Sequence, residues 1–377
     1  MQRREFVIGS MSAGVIALGG CATAPAIESA RAMVREAVGE REALAGMIAV
    51  AVDRGSARMI SHGSSGIANL AMDGDTVFEI GSLGKVLTAL LLADMAARGE
   101  VSFDDPVVTY LPPSAALGVR GRPITLLDLA TYTSGLPRMP DNLPPGWQRS
   151  PNPLATYTPD DLYTFLGGHT PAYEAGTHYG YSNLAFGVLG LALARRADKS
   201  YEELLVERIC DPLGMDHTRI TLSPDLQAHV PRGWNLGMEP AQLLDMPALQ
   251  GAGAFRGTAN DLIVFLRACI GFDRTPLDGA FARLLGTRKA TPLAGTEAAL
   301  GWFISSYEGE QIVWKTGATS GYGAFLGFSP QSRRGSIVLA NFLARPSGGG
   351  PVDGTVRNIG IPMIDPDFPP GDTRLLY

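Results

Sequence analysis

The sequence predicts an α+β fold in which strands from both chain ends form one antiparallel sheet around an inserted helical region. Strand-like segments occupy about 47–61 and 311–342, near the two ends of the 377-residue chain. The stretch from about 101 to 300 has helical periodicity and Pro- and Gly-rich loops instead. We therefore assign 22–100 and 301–377 to the sheet region, and expect the functional site where the helical region meets it.

The N-terminal half of the sheet region begins with a helix whose apolar residues recur on one face. A hairpin, a short strand and a second helix follow it. In chain order these predicted elements are helix Ile27–Ala45, strands Met47–Val52 and Ala57–Ser61, strand Thr76–Ile80 and helix Ser82–Arg98.

The remainder reads as short helices followed by three strands. Thr258 is a good cap residue for the last of these helices, and the segment 137–153 contains several prolines and is predicted to be a loop. From Arg345 onward the chain is Gly- and Pro-rich, and we expect its end to be poorly ordered. The predicted elements are helices Ile124–Tyr132, Thr158–Leu166, Asn183–Arg196, Tyr201–Cys210 and Thr258–Ile270, and strands Gln311–Thr316, Tyr322–Phe328 and Gly335–Phe342.

Residues 1–21 have the pattern of an export signal. Arg3 and Arg4 precede an apolar run that reaches Leu18, which is the length of a signal-peptide core. The arginine pair resembles a twin-arginine signal, and Leu18-Gly19-Gly20-Cys21 resembles a bacterial lipoprotein box. The resemblance implies export to the periplasmic side with lipid attached to Cys21, and 22–377 as the folded domain. A plain signal peptide that happens to contain a cysteine is the alternative.

Composition excludes several other classes of function. The net charge is −6 and no basic run occurs, so a nucleic-acid partner is not expected. The five histidines lack metal-ligand spacing, and we expect neither a metal nor another cofactor. No G-x-S-x-G nucleophile elbow is present. Cys210 and Cys269 could form a disulfide in an oxidising compartment or remain buried thiols, and the sequence leaves both open.

Ser82-Leu83-Gly84-Lys85 is the only S-x-x-K in the chain. Residues three apart share one helix face, so the Lys85 ammonium can reach the Ser82 hydroxyl. A serine at a helix start lies at the positive end of the helix dipole, and a desolvated lysine can accept its proton. In isolation the motif is more often a capping serine and a surface lysine.

Tyr181-Ser182-Asn183 is the only Y-x-N in the chain. A phenol close to two lysines would have a lowered pKa and could transfer protons. The amide of Asn183 could bind a substrate carbonyl and orient Lys85. A tyrosine in the core beside a helix start is the common alternative.

Lys315-Thr316-Gly317 ends a predicted strand. A cation beside a hydroxyl group at a sheet edge suits a substrate carboxylate, and Gly317 allows another backbone to approach closely. Substrate could add there as an extra strand. Alone, the motif fits an ordinary strand end with a solvated lysine.

Together and in this order, the three motifs resemble those of serine β-lactamases and penicillin-binding proteins. The Y-x-N motif resembles class C β-lactamases and related DD-peptidases and esterases, and the resemblance runs from about Ala45 to Arg345. It implies a β-lactamase/transpeptidase-like fold and a serine nucleophile, Ser82. It also implies an oxyanion hole formed by the backbone N–H groups of Ser82 and Ala318.

Within that family three activities share this machinery, and the sequence favours a D-alanyl-D-alanine carboxypeptidase or endopeptidase acting on peptidoglycan peptides. A β-lactamase, a carboxylic esterase and a non-catalytic binding protein are the alternatives. Trp314 stands where class C enzymes usually carry His, and no further asparagine follows Asn341, so β-lactamase activity is disfavoured. Arg345 is our candidate for the carboxylate contact that this asparagine would make. The family also usually carries His where this chain has Tyr132.

Overall fold

One eight-stranded antiparallel sheet organises the molecule. The computed structural model describes residues 23–345, 352, 354–369, 371 and 373–376. The sheet order is β2-β1-β12-β11-β10-β9-β8-β7, while β3 pairs with β6 and β4 with β5. The strands of the described residues are β1 Gly46–Asp53, β2 Ser56–Gly63, β3 Val77–Glu79, β4 Gly233–Trp234, β5 Pro240–Ala241, β6 Arg256–Thr258, β7 Lys289–Ala290, β8 Thr296–Ala298, β9 Phe303–Tyr307, β10 Glu310–Ala318, β11 Gly323–Ser329 and β12 Arg334–Ala340.

Helices fill the region between the two groups of sheet strands and cover both faces of the sheet. Those of the described residues are α1 Thr23–Val38, α2 Gly84–Ala97, α3 Leu126–Ala130, α4 Pro159–Gly168, α5 Asn183–Ala197, α6 Tyr201–Leu205, α7 Asp211–Leu213, α8 Pro224–Ala228, α9 Ala259–Ile270, α10 Asp278–Leu284 and α11 Gly354–Ile364.

Strand β1 joins the two ends of the chain, as the sequence predicted. It pairs with β2 on one side and with β12 on the other, where Met47 lies opposite Ala340. All eight of its residues are buried, which explains why it reads as a continuous apolar run rather than an alternating one. The α+β class and the sheet built from both chain ends are confirmed.

Two layers of helices enclose the sheet. On β12, a Cβ added at Gly335 would lie 2.9 Å from Leu266 of α9. The next residue, Ser336, donates to the Gly360 carbonyl of α11 at 2.7 Å. Because successive strand residues point to opposite faces, α9 and α11 lie on opposite sides of the sheet.

The C-terminal segment contains a helix that the sequence analysis did not predict. Residues 354–364 form α11, most of whose residues are buried, against β11 and β12. The sequence signal was weak because Pro362 lies inside the helix and the segment contains two glycines. Packing against the sheet, rather than helix propensity, therefore stabilises α11.

Two local predictions need smaller adjustments, and a third is confirmed. Ser82 lies in a 3₁₀ turn, Gly81–Leu83, that precedes α2 instead of inside the α-helix. The predicted helix Tyr201–Cys210 is α6 followed by a π-helical turn, Val206–Cys210. Thr258 caps α9, since its hydroxyl accepts a hydrogen bond from Asp261 N at 3.2 Å.

Cys210 and Cys269 are free thiols and form no disulfide. Burial raises the pKa of Cys210 to about 12. Within the described part of the chain, no helix combines the length and apolar character needed to cross a membrane. The predicted signal and the lipid site at Cys21 lie outside the described residues, so the division at residues 21 and 22 stays a prediction.

Candidate active site

The Ser82 hydroxyl stands at the seam between the sheet and the helical region. The chain reaches it from β3, and Ile80 N donates to the Phe255 carbonyl at 3.1 Å. Gly81 then turns with φ +51°, and a Cβ there would lie 2.9 Å from Ala318 N. Only glycine tolerates both this angle and this approach. The turn therefore holds Ser82 against the end of β10.

Lys85 meets Ser82 as the spacing predicted. Its Nζ donates to Ser82 Oγ at 2.9 Å, to Asn183 Oδ1 at 2.8 Å and to the Ala252 carbonyl at 2.6 Å. The side chain is fully buried. Burial lowers the pKa of Lys85 well below its ordinary value, and the nearby charges of Lys315 and then Arg138 lower it further. A lysine so placed can be neutral and accept a proton.

Tyr181 also reaches the hydroxyl of Ser82. Its hydroxyl donates to Ser82 Oγ at 2.8 Å. Ser182 caps α5 by accepting from Ala185 N at 2.9 Å, and this cap fixes Tyr181 and Asn183 on either side of it. Ser82 Oγ thus has a lysine and a tyrosine within hydrogen-bond distance, which is the geometry of an activated nucleophile.

Lys315 lies deeper than the sequence suggested. Its side chain is fully buried, and Nζ donates to Tyr132 Oη at 3.0 Å. The ammonium lies 4.4 Å from the ring centroid of Phe303 and 4.5 Å from that of Tyr181, where cation–π attraction stabilises it. Its charge acts on the site from behind these rings.

Tyr132 is a residue of this cluster that sequence reasoning left without a role. It has φ +60°, is fully buried, and its hydroxyl donates to the Gly301 carbonyl at 3.1 Å. Its ring stacks on that of Tyr181 with a centroid distance of 5.1 Å. The only sequence signal was the replacement of the family's histidine by Tyr132 beside the T-S-G segment.

The end of β10 passes directly beside Ser82. A Cβ at Gly317 would lie 2.0 Å from the Ile80 carbonyl and 3.0 Å from Ser82 N. Strand β9 pairs with Glu310–Trp314 of β10, so the following residues, up to Ala318, border the site. Thr316 is buried on this strand. The arrangement brings the Ser82 and Ala318 backbones together, as the predicted oxyanion hole requires.

A cleft of about 280 Å³ opens onto these groups. Neither Asp nor Glu is among the described residues that line it, and nowhere in the described chain does a cluster of three His, Cys, Asp or Glu side chains suit a metal ion. The lining residues are Gly81, Ser82, Arg138, Met139, Trp147, Pro153, Leu154, Asn183, Leu244, Met246, Leu249, Ala252, Gly253, Ala318, Thr319 and Ser320.

Arg345 is not brought to this cleft. Thr355 Oγ1 donates to the carbonyl of Ala344 at 3.0 Å, and Arg345 lines a separate groove between α1 and α11, beside Glu36. The chain turns away because Leu343 N is bound by the Trp234 carbonyl after β12 ends. The structure therefore corrects the expectation that Arg345 contacts the substrate carboxylate.

Trp314 lies on the sheet as a packing residue. It is buried, its indole N–H donates to Ser305 Oγ at 2.9 Å, and its ring centroid lies 5.1 Å from that of Phe303. The guanidinium carbon of Arg357, on α11, lies 5.7 Å from its ring. Trp314 stands where class C enzymes usually carry His, and in this protein that position packs in the core of the sheet.

Comparison with known proteins finds relatives of this chain in sequence and in structure. A family model described as Beta-lactamase matches residues 30–354. D-alanyl-D-alanine-carboxypeptidase/endopeptidase AmpH of Escherichia coli K12 is 30% identical over 309 residues, 78% of each chain. A β-lactamase of Yersinia enterocolitica is 26% identical, over 80% of this chain and 83% of that one. The crystal structure of D-alanine carboxypeptidase AmpC from Burkholderia cenocepacia is 25% identical, with a TM-score of 0.72, covering 89% of this chain and 99% of that one.

Proposed function

Because the chain belongs to the β-lactamase family of serine hydrolases, we propose that it cleaves peptidoglycan peptides ending in D-Ala-D-Ala through an acyl-enzyme on Ser82. The observation that carries the proposal is the pair of hydrogen bonds on Ser82 Oγ, from Lys85 Nζ at 2.9 Å and Tyr181 Oη at 2.8 Å. The family supplies the type of chemistry, and the substrate class is our inference.

The reaction begins with proton transfer from Ser82. Neutral Lys85 accepts the hydroxyl proton while Oγ attacks the scissile carbonyl carbon, and Tyr181 relays a proton to the leaving amine. The backbone N–H groups of Ser82 and Ala318 stabilise the oxyanion, an effect worth roughly 10²–10³ in rate per donor. Water then attacks the ester, and Ser82 recovers its proton.

Two observations favour a peptide as the substrate. The edge of β10 beyond Trp314 borders the site, and an extended peptide can lie along such an edge as an added strand. The buried charge of Lys315 favours a terminal carboxylate near Thr316 and Gly317 through its field. Asn183, whose Oδ1 holds Lys85, offers its amide to a substrate carbonyl.

A β-lactamase is the second candidate, because several relatives carry that name. Both activities require acylation of Ser82, and they differ in how quickly water removes a β-lactam acyl group. No carboxylate from the described residues lines the cleft to activate that water. Activation of this water would fall on Lys85 or Tyr181 in either activity, so our expectation of weak β-lactam turnover rests on the departures from class C enzymes at Trp314 and after Asn341.

One purified preparation tests the choice among activities. We would measure D-Ala release from a muropeptide-like pentapeptide, hydrolysis of a chromogenic cephalosporin and hydrolysis of a short-chain ester. The proposal predicts D-Ala release with weak or no cephalosporin turnover. Efficient cephalosporin turnover without D-Ala release would make the protein a β-lactamase. Ester hydrolysis alone, unaffected by Lys315→Ala, would make it an esterase, and no reaction would indicate a binding protein.

Intact-mass analysis after penicillin treatment tests the catalytic residues directly. The wild type should gain one adduct and Ser82→Ala none, whereas an adduct that persists in Ser82→Ala would place the nucleophile elsewhere. Lys85→Ala and Tyr181→Phe should each slow acylation by roughly 10²–10⁴, with Lys85→Ala the more severe. Wild-type acylation by Tyr181→Phe would remove Tyr181 from the proton path.

The substrate class fits an exported protein attached to a membrane through lipid on Cys21. Stable anchoring takes more than one acyl chain, as a lipidated N-terminal cysteine would provide. Cell fractionation of wild type and Cys21→Ala tests this. The wild type should follow the membrane and the variant should not. Recovery of both in the soluble fraction would refute the anchor.

A further inference from the structure

Arg138 is an exposed cation on the wall of the catalytic cleft. Its guanidinium carbon lies 5.2 Å from the ring centroid of Tyr181, whose hydroxyl binds the nucleophile. Among the described residues, neither a hydrogen-bond acceptor nor a carboxylate pairs with this guanidinium, although it stands in a protein of net charge −6. The proposed reaction leaves Arg138 without a role.

The backbone holds Arg138 in this position. Its carbonyl oxygen accepts hydrogen bonds from Asn183 N at 3.0 Å and from Leu184 N at 3.2 Å, at the start of α5. The loop that carries Arg138 is thereby fixed to the helix that carries Asn183. The guanidinium and the Asn183 amide consequently share one wall of the cleft.

Charge in the cleft is unbalanced. Lys315 is buried behind it, and Arg138 is the one lysine or arginine that lines it in the described chain. No described Asp or Glu lines the cleft to neutralise them. A substrate with negative charge would lower the electrostatic energy of the site more than a neutral one.

We propose that Arg138 selects substrates that carry a carboxylate on the acyl-donor side of the scissile bond. This inference rests on the proposed acyl-enzyme at Ser82 and specifies its substrate class. A guanidinium binds a carboxylate with two parallel N–H···O bonds, which gives geometric selectivity as well as attraction.

The side of the scissile bond that Arg138 faces follows from the positions of β10 and Asn183 in the cleft. In the proposed reaction the leaving group and its terminal carboxylate lie towards Lys315 and the end of β10. Asn183 binds a carbonyl of the acyl part. Because Arg138 is fixed beside Asn183, its guanidinium faces the acyl part.

Two penicillins form a matched pair for the test. Benzylpenicillin and carbenicillin share the ring carboxylate and the reactive carbonyl, and carbenicillin adds one carboxylate on the acyl side chain. We would measure the second-order acylation rate of each by competition with a fluorescent penicillin. The readout is the carbenicillin-to-benzylpenicillin ratio, in which any effect of the variant on Lys85 cancels.

The ratio should fall about fivefold in Arg138→Gln, the size expected for one solvent-accessible ion pair. Arg138→Lys keeps the charge but not the two-bond geometry, so its ratio should lie between those of the wild type and Arg138→Gln. Arg58→Gln removes the same charge from exposed β2 and should leave the ratio unchanged.

An unchanged ratio in Arg138→Gln, or an equal fall in Arg58→Gln, would overturn the assignment. A contact with the shared ring carboxylate would slow both penicillins equally and so also gives an unchanged ratio. If neither penicillin acylates the wild type, the proposed Ser82 chemistry fails and this inference fails with it.

Discussion

Gly317 lies where β10 comes closest to the backbone around Ser82, and Gly317→Ala should damage catalysis more than folding. The added methyl would lie 2.0 Å from the Ile80 carbonyl oxygen and 3.0 Å from Ser82 N. Reaching ordinary van der Waals contact with that oxygen requires the two backbone segments to move apart by about 1.4 Å. A misplacement of about 1 Å can cost roughly 10² in rate.

The stability cost should be smaller, about 1–3 kcal/mol, as for other overpacked sites. We would measure urea unfolding by circular dichroism and, on the folded protein, acylation by a fluorescent penicillin. Gly279→Ala is the matched control, because nothing lies within 4 Å of a Cβ there, and it should keep wild-type acylation. A folded Gly317→Ala that acylates at the wild-type rate would refute the close approach as a catalytic requirement.

Three further predictions follow from buried groups. Lys315→Met removes a charge that lowers the pKa of Lys85. The pKa of Lys85 should therefore rise, and the acidic limb of the pH profile of acylation should move to higher pH. An unmoved limb would contradict the electrostatic coupling between Lys315 and Lys85. Tyr132→Phe deletes a hydroxyl that binds Lys315 at 3.0 Å, so the free energy of unfolding should fall by about 1–3 kcal/mol, and an unchanged urea midpoint would show that the bond is replaced. Cys210 and Cys269 should both react with a thiol reagent in denaturant without reductant, whereas failure to titrate would indicate the disulfide that the structure lacks.

The sequence predicted the sheet from local apolar patterns, whereas the resemblance to the β-lactamase family implied that the three motifs meet. The i, i+3 spacing places Lys85 beside Ser82, and the strand that ends in K-T-G has a clear apolar pattern. The catalytic roles of these residues remain predictions, although in the structure Lys85 donates hydrogen bonds to Ser82 and Asn183, and Tyr181 donates one to Ser82.

The parts that the sequence did not predict depend on tertiary contacts. The Ala252 carbonyl binds Lys85, and a backbone acceptor leaves no residue-type signature. Helix α11 forms in a segment of low helix propensity because the sheet face needs covering. The sequence suggested Arg345 as a substitute for the missing asparagine at the substrate carboxylate. The path of the chain after β12 is instead set by the hydrogen bond from Leu343 N to the Trp234 carbonyl.

The pairing of β1 with β12 has a consequence for how the protein folds. Gly46 N donates to Asn341 Oδ1 at 2.7 Å across a separation of 295 residues. Such contacts form slowly, because a long loop must close before they contribute any stability. The turn that carries Ser82 is synthesised early, yet its neighbours on β10 emerge from the ribosome more than two hundred residues later. A nascent chain therefore carries Ser82 for most of its synthesis without the strand that borders it, and the site is complete only with the last strands of the sheet.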